Sequence, residues 1–191
     1  MRKIFALLVA AGLVLSASLM GCSGCTSSSL FPVARSETVV QMIAGVQQAE
    51  VERLLRELTG ESPIEVGGVT LTLTTRNTGN EAATRLATQF VFEFMQDRDI
   101  GVVYHDWADP EEGIAGRNVI AQMDGVDRPD EIVMITAHVD CMPDEGRAPG
   151  ADDNASGSVG VMLAAAQLAG HTFERTIRFV LFTGEEYGPS G

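Results

Sequence analysis

Positive charge is scarce in this 191-residue chain: 13 Lys and Arg stand against 26 Asp and Glu, a formal net charge of −13. Nucleic-acid binding requires clustered Lys and Arg to neutralise phosphates, so that class of partner is excluded. Cysteine is scarcer, with three in all, too few and too scattered for a disulfide framework. Also lacking are internal repeats, a second domain and an apolar run long enough to span a bilayer. The longest run, Ile4 to Leu15, is short of the roughly 20 residues a span needs. What is present, 45% hydrophobic and 20% charged residues, reads as one globular domain with a real core rather than a disordered chain.

The first residues stand apart from that domain. Met1-Arg2-Lys3 is a basic start, the apolar run follows, and small residues come next, the order of a secretory signal. The run closes on "LMGC" at 19 to 22, which resembles the lipobox of bacterial lipoproteins. Residues 1–21 are therefore expected to be a signal peptide and Cys22 the lipidated first residue of an exported, membrane-anchored lipoprotein of the cell envelope. Residues 22–36, with Ser27 to Ser29, would be a flexible tether. Cleavage removes Arg2 and Lys3 and no acid, moving the formal charge from −13 to −15.

Hydrophobic period organises the remainder, 37–191. Val39, Ile43, Val46, Val51, Leu54, Leu55 and Leu58 form a helical stripe from Glu37 to Leu58, closed by Gly60. Glu61 to Gly68 reads as a loop, and "VTLTLTT" at 69 to 75 as a half-buried strand. Ala83, Leu86, Ala87, Phe90, Val91, Phe94 and Met95 predict an amphipathic helix starting near Asn80. Strands are expected at 101–107, 118–124, 131–137 and 176–183. Between the last two, Ser156 to Ala169 is apolar all round and reads as a buried helix ended by Gly170. Strand, helix, strand implies a right-handed crossover and parallel neighbours. The fold class is α/β: a mixed, largely parallel central sheet flanked by helices.

Three clusters fall where such a sheet carries its functional loops, beyond the carboxyl ends of strands. In "HVD" at 138 to 140 a period of two places His138 and Asp140 on one face, so Asp140 could hold one imidazole nitrogen and leave the other for a metal. "GADDNASG" at 150 to 157 crowds Asp152, Asp153 and Asn154 at the start of the buried helix. "GEEYG" at 184 to 188 sets Glu185 and Glu186 directly after a buried strand. Each has an ordinary reading alone: a hydrogen-bonded histidine, an N-cap with a spare acid, a solvated acidic loop. Together they converge on one sheet edge as an imidazole and several carboxylates with few cations nearby, and a divalent metal is the natural counter-charge. His105 and His171 read as structural, His105 in a partly buried strand and His171 at the surface near a helix end.

In this order and spacing the three motifs resemble the zinc peptidases of the bacterial leucyl aminopeptidase and aminopeptidase Y type, in clan MH. The resemblance runs from about Val46 to Gly191 and takes in "LRELTGE" at 55 to 61 and "TTRNTG" at 74 to 79. It implies a mixed-sheet α/β exopeptidase fold, two Zn2+ ions and peptide substrates. It further implies that His138 binds one zinc, Asp153 bridges both, Glu186 binds the other, Glu185 is the general base and Asp140 orients His138. Glu185 would take a proton from the attacking water and pass it to the departing amine. The family supplies a further aspartate and histidine ligand after its GEE motif, so residues 37–191 correspond to the N-terminal part of such a domain, truncated at the C-terminus and expected to be incomplete as an active site.

Two alternatives accompany this expectation. One is a glutaminyl cyclase, which shares the fold; the other is a non-catalytic lipoprotein that keeps the fold to bind peptides or metals.

Overall fold

The computed structural model describes residues 35–142 and 149–190. The expected signal peptide, most of the tether and the lipidation site Cys22 lie outside them. Ser36 onward forms one compact unit.

Where one helix is expected over Glu37 to Leu58, there are two: α1 (Glu37–Gly45) and α2 (Gln48–Leu58). Val46 and Gln47 are extended between them. Glycine and β-branched valine are weak helix formers, and Gly45 leaves room for Gln167, which a Cβ there would strike. The expected stripe divides at this break: Val39, Ile43 and Val46 are exposed, whereas Leu54 and Leu58 are buried. Glu61 to Gly68 is not all loop, because Ile64–Val66 (β1) pairs antiparallel with Val69–Leu71 (β2). Gly67 and Gly68, both at positive φ, supply the tight hairpin turn. The strand expected over 69 to 75 ends at Leu71, after which the chain runs without regular structure to Arg76.

Helix α3 (Glu81–Gln96) follows the predicted stripe, and its N-cap Asn80 accepts a hydrogen bond from Ala83 N at 3.1 Å. Then come β3 (Gly101–Asp109), β4 (Ile114–Met123), β5 (Arg128–His138), a π-type turn over Ala151–Ala155, α4 (Ser156–Leu168), β6 (Arg175–Phe182) and a 3₁₀ turn over Glu185–Ser190. The four-stranded sheet has the order β3-β4-β6-β5. It is mixed: β5 and β6 run parallel across the α4 crossover, while β3–β4 and β4–β6 are antiparallel. Parallel pairing is thus the minority among the described strands, because β3 and β4 are joined by a short turn that reverses the chain.

Val119, Ala121, Ile177, Phe179 and Leu181 share one core with Val91 and Met95 of α3 and Met162 and Ala165 of α4. Alternation along the strands turns their neighbours to the opposite face. No helix among the described residues is long and apolar enough to cross a membrane.

Candidate metal centre

The parallel register of β5 and β6 sets His138 beside Phe182, so the segments leaving both strands emerge at the same sheet edge. Val139 N donates to Phe182 O at 2.8 Å and extends the ladder by one step. Beyond it Asp140 is fully buried. Its Oδ2 accepts hydrogen bonds from Gly184 N at 2.9 Å and Glu186 N at 3.3 Å, which ties the first motif to the third. Its Oδ1 is buried with no hydrogen-bond partner and lies 3.5 Å from His138 Nδ1. The same nitrogen is 3.2 Å from Asp140 O.

The opposite side of the imidazole meets acids. His138 Nε2 is 3.1 Å from Asp153 Oδ1 and 3.8 Å from Glu185 Oε2. One ligand atom from each of His138, Glu185 and Glu186 can be chosen so that all lie within 4.8 Å of one another. Asp153 and Glu185 have exposed side chains. Glu186 is more enclosed, and burial pushes its carboxyl above the usual range against the hydrogen bond it accepts from Met142 N at 3.1 Å. Asp152 is exposed. Asn154 serves the helix, its Oδ1 accepting from Gly157 N at 2.9 Å. Ser158 Oγ of α4 donates to His138 O at 2.8 Å and fixes the end of β5.

The turn that presents Glu185 rests on Trp107. Gly184 is at φ +89, and a Cβ there would strike the indole ring; Trp107 Nε1 donates to Thr183 Oγ1 at 3.0 Å. Only glycine meets both demands, the left-handed backbone and the close ring. Beside this turn opens a cleft of about 840 Å³ whose walls include Trp107, Pro110, Ala137, Phe182, His138 and Glu185. The predicted cluster and an apolar cleft therefore share one mouth.

The donor set suits zinc on chemical grounds. An imidazole whose Nδ1 carries the proton donates to Asp140 O, sets that proton beside the buried Asp140 carboxylate, and leaves Nε2 as a lone pair facing carboxylates. Zinc takes neutral imidazole and carboxylate oxygen together, and a cation there also offsets the repulsion among Asp153, Glu185 and Glu186.

Residues 118–191 match Peptidase family M28. All three motifs fall inside the matched segment. Over 74 residues the chain is 42% identical to leucine aminopeptidase 2 of Trichophyton equinum, 39% of this chain and 14% of that protein. It is 33% identical over 112 residues to a probable leucine aminopeptidase of Arthroderma benhamiae, 54% of this chain and 29% of that protein. The chain thus spans a small part of the length of these relatives. Among solved structures, the LapA aminopeptidase of Legionella pneumophila aligns with TM-score 0.65 and 18% identity over 100% of this chain and 45% of its own. The zinc aminopeptidase BSAP of Bacillus subtilis aligns with TM-score 0.58 and 13% identity, 73% of this chain and 62% of its own. A glutaminyl cyclase of Fimbriiglobus ruber aligns with TM-score 0.59 and 16% identity, 75% of this chain and 47% of its own. These structural likenesses are of fold. The family match and the leucine aminopeptidase relatives show that part of this chain, residues 118–191 for the family match, is similar to M28 peptidases.

Outside the matched segment lies a residue that the three motifs do not reveal. Arg76 of "TTRNTG" is wholly buried, and its guanidinium reaches main-chain carbonyls of the first and second motif regions. An arginine among threonines carries no local sign of burial; the one available signal was its place in a segment already tied to the resemblance. Neither remaining histidine joins the cluster: His171 is exposed, and His105, expected in a partly buried strand, is exposed too, 3.4 Å from Asn118 Nδ2.

Proposed function

We propose that this chain carries the front portion of a zinc-dependent aminopeptidase site, which removes N-terminal residues from peptides. The observation that carries the reading is the two-sided environment of His138, with Nδ1 turned to buried Asp140 and Nε2 turned to Asp153 and Glu185. In this proposal His138, Asp153 and Glu186 would be the residues that hold zinc. When bound, zinc acidifies water and polarises the scissile carbonyl.

The chain's own groups do the rest. Asp140 fixes the tautomer and orientation of His138. Glu185 is exposed beside Nε2, free to take a proton from the attacking water and hand it to the leaving amine. The apolar cleft beside it offers room for the peptide and excludes water from one wall. The leucine aminopeptidase relatives favour hydrolysis over cyclisation of N-terminal glutamine, for which the support is likeness of fold alone. Export and lipid anchoring at Cys22 belong to the same proposal.

One experiment addresses these points. The full-length protein is expressed with its leader, fractionated and assayed on aminoacyl-nitroanilides with and without a chelator. Chelator-sensitive release in the membrane fraction, lost about 10²- to 10⁴-fold in Glu185→Gln with zinc retained, is the expected result. Cyclisation of a glutaminyl peptide in place of release would reassign the chemistry. Zinc or peptide binding unchanged by Glu185→Gln, with no turnover in either protein, would replace the enzyme by a binding protein.

A further inference from the structure

The segment Arg76 to Thr78 touches all three motif regions. The Arg76 side chain donates from Nε to Val139 O at 2.7 Å, between His138 and Asp140. Nη1 donates to Pro149 O at 2.7 Å and also to Leu58 O, and Nη2 donates to Gly150 O at 2.9 Å. Gly150 directly precedes the turn that bears Asp153, and its carbonyl also accepts from Ala155 N at 2.9 Å. The main chain repeats the connection: Cys141 N donates to Arg76 O at 3.0 Å, and Thr78 N donates to Cys141 O at 3.1 Å. From the third motif, Tyr187 OH donates to Thr78 O at 2.8 Å.

A buried guanidinium is a demanding choice for a spacer. Its charge is costly to desolvate, and burial lowers its pKa while the nearby Asp140 charge supports it. What it supplies is a rigid planar fork whose donors point at fixed angles to several acceptors at once, which an ammonium cannot reproduce. Here the fork spans the carbonyls on either side of the metal centre.

We propose that Arg76 is a positioning residue for the metal centre: it holds the chain behind His138 and the chain before Asp153 at the separation that lets both address one cation. The inference rests on the zinc reading above but concerns a residue outside the ligand set. Gly150 belongs to the same joint: it sits at φ +46, where an added Cβ would strike Asp153 O, lie 2.5 Å from Cys141 Cβ and 3.0 Å from Arg76 Nη2.

The test uses the full-length protein and its Arg76→Met, Arg76→Lys and Gly150→Ala variants. Zinc affinity is read by competition with a chromophoric chelator, the visible spectrum of the Co2+-loaded protein reports ligand geometry, and circular dichroism reports folding. Arg76→Met is expected to weaken zinc about 10- to 100-fold, the range for groups that orient ligands, and to change the cobalt bands, with Arg76→Lys in between. Arg76→Lys keeps the buried cation without the planar fork, so it carries the test if Arg76→Met does not fold; Gly150→Ala, which strikes Asp153 O directly, shows what a displaced ligand does to the cobalt bands. Folded variants with native zinc affinity and a native cobalt spectrum overturn the proposal while leaving the function reading intact. A native protein that binds no zinc overturns both.

Discussion

The two faces of the central sheet use the same strands and similar residues, yet they meet different surroundings. On one face Ala121, Phe179 and Leu181 are completely buried under α3 and α4. On the other, Val103 is 59% exposed, Met134 52% and Ile132 43%, and none of the described helices covers them. The strand "EIVMITA" is apolar from Ile132 to Ile135 without alternation, a pattern usually associated with cover on both faces. An apolar strand therefore reports what a sheet is able to bury, whereas the neighbouring layers decide what it does bury.

Three substitutions probe this contrast. The largest expected effect is on the covered face: Phe179→Ala should cost about 3–5 kcal/mol in denaturant unfolding, from lost burial and the cavity left behind. At the edge where the faces meet, Asp140→Asn should act on metal more than on folding. The asparagine carbonyl can still accept from Gly184 N and Glu186 N, but its amide would face His138 Nδ1 and drive the proton to Nε2. Zinc affinity measured by chelator competition should fall about 10- to 100-fold, roughly 1.4–2.7 kcal/mol. The smallest effect belongs to the open face, where Met134→Ser should move stability by less than about 0.5 kcal/mol. A cost for Met134→Ser matching that of Phe179→Ala would mean that this face is covered too, and the contrast would collapse.

Local signals in the sequence carried much of this architecture. The Asn80 cap and the three-and-four spacing through Met95 locate α3, and the apolar runs locate β3 to β6 within a few residues. The convergence of His138, Asp153, Glu185 and Glu186 was legible because strand ends at one sheet edge bring their loops together. Other features depend on partners far along the chain. The break after Gly45 makes way for Gln167, and the burial of Arg76 is decided by carbonyls of Leu58, Val139, Pro149 and Gly150. The β1–β2 hairpin was readable in principle, since "IEVGGVTL" alternates around a Gly-Gly turn.

The parallel pairing of β5 with β6 also sets an order of events in time. Helix α3 and the β3–β4 hairpin join residues close in sequence, so they can form early. Asp140 and Gly184 are 44 residues apart, and such contacts must meet the entropy of closing a long loop before they give anything back. His138 at the end of β5 and the two glutamates in the turn after β6 stay separated until the last strand docks. Uptake of metal during refolding would then lag behind the helical signal and mark the moment the sheet is complete.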